Sequence, residues 1–256
     1  AIPARTFSQG LNNLWMGGYE AWAGPPYGGI SMEFSSGELE VSSTTREINF
    51  FRTSANIANA SGELLFSTNG AYIANATGDT MFNGSGLSPS YYTSMYPDGL
   101  FLAQGALILP KPDATGTYYL LHCTIDDIPA LAAHYLYLTT VDMSLNGGDG
   151  AVVSKNEVIL QDTMNTGRLT AVRHANGRDW WVFCHKLNSD IYYRLLVTPA
   201  GVSVDGTQAI GAVRIADSGQ TCFSPDGSKF AYYWGEPGED LDIFDFDRCT
   251  GLFSNP

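Results

Sequence analysis

Charge is scarce in this 256-residue chain, and one sign is scarcer: 13 Lys and Arg stand against 26 Asp and Glu, a formal net charge of −13. So acidic a surface repels phosphate backbones and anionic lipid, which argues against nucleic-acid binding; its ordinary consequence is solubility. Apolar runs are short, and none approaches the ~20 residues a helix needs to cross a bilayer. The opening AIPARTFSQG has neither the basic nor the apolar region of a secretory signal, so any export signal is expected to have been removed. Cysteine is limited to Cys123, Cys184, Cys222 and Cys249, too widely spaced for a zinc knuckle or a CxxC redox pair. Cys123 and Cys184 fall inside apolar strands, where a buried free thiol is the commoner outcome. Helical periodicity is missing too; only the segment 128–135 (IPALAAHY) offers a turn or two. No nucleophile elbow, HExxH, Walker loop or Rossmann glycine pattern occurs. Neither a cofactor nor a metal is expected.

What is present points to strands. The chain carries 28 Gly, 14 Tyr and 13 Phe, a mixture that favours short strands and tight turns. Its length suits one sizeable domain, and residues 1–256 are read as one. The clearest stretch runs from Leu169 to Thr198. It divides into strands over 169–174, 179–186 and 191–198, with Asn176-Gly177 as the pair for a tight hairpin. Alternation along the second strand sends Trp180, Val182 and Cys184 to one face and Trp181, Phe183 and His185 to the other. Both faces are then largely apolar, so the strand lies between two other layers. An antiparallel meander covered on both sides describes one blade of a β-propeller.

The same order of strand, Gly-containing turn, aromatic strand and polar loop recurs, with units opening near Leu14, Ile48, Phe101, Leu169 and Thr221. Propeller repeats typically run ~40–50 residues, and these intervals are comparable though uneven. The expected fold is all-β, a propeller of four-stranded antiparallel blades, with about five blade-like units present as part of a larger propeller. A β-sandwich is the alternative, since it also strings short strands between turn signals. The segment Asn83–Gly99, polar and aromatic, reads as a long loop of the kind that carries function.

Several sets of residues could carry chemistry. Arg173, His174 and His185, with Lys186, fall at the ends of the first two strands of the 169–198 stretch. They could bind an anionic ligand or act in acid–base catalysis, although ordinary hydrogen-bonded strand histidines are commoner. Tyr91, Tyr92 and Tyr96 in the long loop offer aromatic surface, as do Trp22, Pro25, Pro26 and Tyr27 in the first unit. Such surface stacks on sugars or seats a protein partner, or else packs on its own blades. Asp240, Asp242, Asp245 and Asp247 run along LDIFDFD. A calcium site needs about six to eight converging oxygens, so a solvated strand face is the simpler reading. Asp126, Asp127 and Asp149 supply carboxylates without a spacing that would mark a glycosidase pair.

Longer motifs carry a resemblance. The segments VDMSLNGGDGAVVSKNEVIL, RLTAVRHANGRDWWVFCHKLN and LLVTPAGVSV lie at its centre. ISMEFSSGELEV, SGELLFSTNGAYIANATGDTMFNGSG and GALILPKPDATGTYYLLHCTID precede them, and FSPDGSKFAYYW and LDIFDFDRCTGLFSNP follow. In this order they resemble the N-terminal propeller region of large bacterial surface proteins, many of which end in a type IX secretion sorting domain or a gliding-motility-associated domain. The likeness covers nearly the whole chain. It implies a propeller exported through the type IX translocon to the extracellular or outer-membrane surface, with translocon components, other surface proteins or glycans as partners. It supplies no catalytic residues. Members of this family continue beyond the equivalent of residues 252–256, so this chain is expected to be the N-terminal part of something longer. The resemblance also bears on Asp79-Thr80-Met81 and Asp162-Thr163-Met164, which match the Asp-Ser/Thr-apolar motif for O-glycosylation in such bacteria. Thr80 and Thr163 are the expected attachment points, both in loops. The reading as a whole is a non-catalytic binding or structural module of an exported surface protein. A carbohydrate-active propeller enzyme and a surface adhesin are the alternatives.

Overall fold

The computed structural model describes residues 11–24, 27–130, 132–165, 167–216, 219–235 and 240–256. Nineteen strands follow one another among these residues in short antiparallel meanders. The first unit has three: β1 (Leu14–Gly17), β2 (Gly29–Glu33) and β3 (Glu40–Thr44). The second has β4 (Ala55–Ala58), β5 (Leu64–Thr68), β6 (Tyr72–Asn75) and β7 (Thr80–Ser85), and is followed by the single-turn helix α1 (Tyr91–Met95). The third has β8 (Ala106–Pro110), β9 (Thr117–Cys123), β10 (Ala133–Asp142) and β11 (Ala151–Met164). β12 (Thr170–Arg173), β13 (Trp180–His185), β14 (Ser189–Thr198) and β15 (Gly201–Arg214) make the fourth. The fifth consists of β16 (Gln220–Phe223), β17 (Lys229–Trp234), β18 (Asp240–Asp247) and β19 (Leu252–Ser254).

The expectation of separate four-stranded blades needs two corrections. The first unit carries three strands, and the second and third form one eight-stranded sheet, in the order β4-β5-β6-β7-β11-β10-β9-β8. Their join is a parallel contact of β7 with β11 at Phe82 and Ala151. No turn or periodicity signal marks such a contact, because it depends on where two distant strand ends meet in space.

First strands of successive units lie side by side, β1 with β4, β4 with β8 and β12 with β16, while the last strands β11, β15 and β19 neighbour one another at the opposite edge. The architecture is all-β and propeller-like. Alternation of side chains explains how the sheets stack. On β9, Tyr118 and Leu120 join a core shared with Phe66, Ile73 and Met81 of the second unit. Their neighbours Tyr119, Leu121 and Cys123 point the other way, into a core with Val182, Cys184 and Leu195 of the fourth. On β13 the opposite face sends Trp181 and Phe183 against Phe230, Phe244, Phe246 and Phe253 of the fifth. A smaller cluster of Ile48, Phe50 and Ala74, with Met16 and Tyr72 packed on it, ties the first unit to the second. Each buried Leu, Phe or Val contributes about 1.5–3 kcal/mol, so the apolar contact between sheets is the main adhesive of the molecule.

Turns repeat as the sheets do. In His174–Asp179 the Gly177 amide donates to His174 O (2.9 Å) and the His174 amide to Asp179 O (2.9 Å). Ser224–Lys229 copies this, Gly227 donating to Ser224 O (2.8 Å) and Ser224 to Lys229 O (2.9 Å). Gly177 and Gly227 take φ of 74° and 72°, a left-handed conformation that costs glycine little. The two-residue Asn176-Gly177 hairpin is thus corrected to a four-residue connection in which only the glycine is left-handed. Asn176 Oδ1 fixes it by accepting from the amides of Arg178 and Asp179.

Three further expectations are corrected. The described residues of the 128–135 segment make no helix; its end enters β10, where strand pairing with β9 and β11 outweighs a weak local preference. The one α-helix among the described residues is instead α1 inside the long loop, nucleated by a capping box in which Ser90 and Thr93 bond reciprocally. Thr80 and Thr163 are both exposed but lie in strands, at the start of β7 and near the end of β11.

Candidate ligand-binding surface

Two concavities matter, and they differ in chemistry. The larger, of about 800 Å³, opens where the first strands converge. β1 contributes Leu14, Trp15 and Met16, β4 contributes Ala55 and Asn56, and β8 contributes Ala106, Leu107 and Ile108; Leu169 and Gln220 close it from the fourth and fifth units. Its polar lining is mainly amide, from Asn12, Asn56, Gln104 and Gln220. These amides are partly committed. Asn56 accepts from the Met16 amide and donates to Leu14 O, and Gln104 exchanges two hydrogen bonds with the Thr221 backbone (2.8 Å each). Among the described residues Arg52 is the sole ionisable side chain on this lining, and its guanidinium lies 3.8 Å from the centre of the Phe101 ring. Among the described residues no carboxylate, imidazole or thiol lines the cavity, and its one side-chain hydroxyl, that of Ser54, has no general base on the lining to activate it.

The second concavity, of about 180 Å³, lies between the loop after β1 and α1. Tyr19, Trp22, Phe51, Tyr92 and Tyr96 wall it, together with Met95. Trp22 is 59% exposed, Tyr96 54% and Tyr19 51%, whereas Tyr92 is buried. Rings support one another: Tyr19 packs on Phe51 at 5.3 Å, Phe51 on Phe101 at 5.1 Å, and Tyr92 on Tyr96 at 4.9 Å. The fully buried Asn69 holds the floor, donating to Asn49 O (3.2 Å) and to Asp98 O (3.0 Å). Asn49 Oδ1 in turn accepts from the Glu20 amide (2.9 Å), joining the two walls. The loop aromatics expected from the sequence therefore divide: Trp22, Tyr92 and Tyr96 meet in this cleft, while Tyr91 and Tyr27 are exposed outside it. Pro25 and Pro26 lie outside the described residues.

The basic and imidazole candidates do not come together. Arg173 stacks on Trp180 (3.7 Å) and donates to Arg178 O. His174 sits at the hairpin turn, its Nδ1 accepting from the Asn176 amide (3.0 Å). His185 is at the other end of β13, about 20 Å away at ~3.3 Å per residue. It is buried against Tyr192 (4.6 Å) and Tyr232 (5.4 Å), with no hydrogen-bond partner for either nitrogen among the described residues. Burial, reinforced by the charges of Arg168 and Arg214, pushes its pKa down to about 3. Lys186 pairs with Asp162 (2.8 Å). A buried neutral imidazole beside rings is a packing residue in this geometry.

Two other buried polar side chains carry no local sequence signal. His122 is enclosed between Ser88 Oγ (2.8 Å) and Thr139 Oγ1 (2.9 Å), and burial lowers its pKa to about 3. Arg214, buried at the end of β15, is clamped by Asp242 (2.6 Å) and Asp240 (3.0 Å). Asp240, Asp242 and, paired to Lys229, Asp245 thus neutralise cations, while Asp247 accepts from the Cys249 amide (2.8 Å). Among the described residues no cluster of His, Cys, Asp or Glu is arranged to hold a metal ion, and no helix is long and apolar enough to cross a membrane. Cys123 and Cys184 are buried free thiols, and Cys222 and Cys249 are exposed and free.

No family profile and no curated protein matches the chain. Solved structures do. A functionally unknown protein from Desulfotomaculum acetoxidans aligns at 12% identity over 88% of this chain and 61% of its own, with a TM-score of 0.41. A protein from Lactobacillus plantarum aligns at 13% over 94% and 64%, with a TM-score of 0.48. The periplasmic gluconolactonase of Pseudomonas aeruginosa aligns at 10% over 94% and 80%, with a TM-score of 0.38. This chain spans less than two thirds of the length of the first two. None reaches a TM-score of one half, and the architecture rests on the strand pairing above.

Proposed function

We propose that this chain is a non-catalytic binding or structural module, propeller-built, of an exported bacterial cell-surface protein. The observation that carries the reading is the lining of the larger cavity: among the described residues Arg52 is its one ionisable side chain, already stacked on Phe101, and the Ser54 hydroxyl there has no base beside it. A hydrolase needs at least one positioned acid, base or nucleophile at its reacting centre. Here the buried histidines face apolar packing or hydroxyl partners, and Asp162, Asp240, Asp242 and Asp245 are paired with Lys186, Arg214 and Lys229. The blades stack around the axis on which the first strands converge, and the rim displays aromatic side chains to other surface proteins, translocon components or surface glycans. Export through the type IX route follows from the resemblance of the motifs quoted above. Incubation with sugar lactones, the substrate class named by the gluconolactonase neighbour, and with glycoside substrates should give no turnover above the buffer rate. Steady hydrolysis that scales with protein concentration would overturn the proposal.

Thr80 and Thr163 remain the proposed attachment points for O-linked glycan, both exposed in the structure. Protein taken from its native source should exceed the polypeptide mass by two glycans, and Thr80→Ala and Thr163→Ala should each remove one. An intact mass equal to that of the bare chain would refute this.

A further inference from the structure

Five aromatic rings around a space of about 180 Å³ form an unusual cleft for an acidic protein, and its charge is specific. Among the described residues Asp98 is the one carboxylate on the lining, no basic side chain lines it, and that carboxylate makes no ion pair. The volume is below the ~300 Å³ typical of pockets for drug-sized ligands, which limits the occupant to a compact head group. Neutral sugars need several hydrogen-bonding partners for their hydroxyls; beyond the tyrosine hydroxyls and the Trp22 indole N–H, this cleft's side chains offer Asp98 and Asn49, whose Oδ1 is already engaged by the Glu20 amide. Aromatic faces carry negative quadrupole charge and attract weakly hydrated cations, quaternary ammonium above all. The same series of rings already does so once, since Tyr19, Phe51 and Phe101 lead to the Arg52 guanidinium.

We propose that this cleft binds a small trimethylammonium compound, with the methyl groups against Tyr19, Trp22, Phe51 and Tyr96 and the charge facing Asp98. The proposal rests on the binding-module reading and gives its ligand a chemistry. The asparagine ties at the floor hold the carboxylate-bearing loop and the Tyr19 wall in place before any ligand arrives, which reduces the ordering cost of binding. Charge sets the order of preference: choline fits, glycine betaine brings a carboxylate towards Asp98 and fits less well, and the neutral carbon isostere of choline (dimethylbutanol) loses the cation attraction.

Titration of the intact chain followed by NMR or calorimetry tests this with choline, the isostere, betaine and glucose as probes. Choline should bind about tenfold more tightly than the isostere, the equivalent of ~1.4 kcal/mol of cation–π and ion attraction. Trp22→Ala should weaken choline by about tenfold, and Asp98→Asn by about threefold to tenfold, with little effect on the isostere. Trp22 and Asp98 are both exposed, so neither variant removes core packing, and unchanged thermal unfolding would document that. Equal affinity for choline and isostere, tighter binding of glucose, or no choline binding would each overturn the proposal. Those outcomes leave the absence of turnover untouched, so failure here is distinct from failure of the non-catalytic reading.

Discussion

Acidification from pH 7 to pH 4 should strip this protein of most of its stability, at about 3 kcal/mol per pH unit once both buried histidines titrate in the unfolded chain. His122 and His185 take protons near 6.5 when unfolded and near 3 when folded. Between those values the unfolded state binds more protons, so stability falls as pH falls, by about 1.4 kcal/mol per unit for each group. Above pH 6.5 the contribution is fully present. Carboxylates cannot mimic this window: Asp226, held down to about 2 by the Ser224 hydroxyl and by the Ser228 amide and hydroxyl, acts only below 3.8. Relaxation of the −13 net charge works in the opposite direction and is spread over the whole acid range.

Urea unfolding at a series of pH values measures the slope. His185→Leu should roughly halve it. The same variant should also stabilise the protein at pH 7 by about 1–2 kcal/mol, because two polar atoms lacking partners leave the interior. His122→Leu should halve the slope as well but destabilise at pH 7, since Ser88 and Thr139 would lose their partner. A slope unchanged in both variants would show that other groups govern acid sensitivity.

Phe253→Ala should cost about 3–5 kcal/mol, the usual loss for truncating a buried aromatic. Phe253 lies on the last strand, yet its ring is within 4.7 to 5.7 Å of those of Phe183, Tyr192, Phe230, Phe244 and Phe246. Two of these five rings belong to the preceding unit, so the truncation opens a cavity at the contact between sheets. Gln208 reinforces that contact, donating to Phe253 O (2.8 Å) and accepting from its amide (2.9 Å). Thermal unfolding compared with Leu252→Ala, an exposed neighbour on the same strand, isolates the packing term. Equal and small effects of the two substitutions would contradict it.

Much of this was legible in the amino-acid order. The alternation Trp180-Trp181-Val182-Phe183-Cys184-His185 states that both faces of β13 are covered, and each half of it enters a different core. Glycine after Asn176 and after Asp226 marks the hairpins, and the aromatics at Trp22, Tyr92 and Tyr96 mark one rim cleft. What escaped depends on distance in space. Tyr19 and Phe51 complete the cleft from two segments about 30 residues apart that no local signal pairs with the 91–96 loop, and the Phe82–Ala151 contact joins strands about 70 residues apart. Arg214 finds Asp240 and Asp242 only because β15 and β18 belong to adjoining sheets. The α1 helix was hidden because tertiary context and one capping box, rather than amphipathic periodicity, sustain a five-residue segment.

The parallel bridge between β7 and β11 has a mechanical corollary. Force applied across the second and third units must shear a shared sheet edge as well as peel apart greasy faces, whereas the fourth and fifth lie in separate sheets held by apolar packing and isolated ties such as Gln208 to Phe253 and Arg214 to Asp242. Pulled from its ends, the chain should surrender its C-terminal ribbons first and its central double sheet last and in one event.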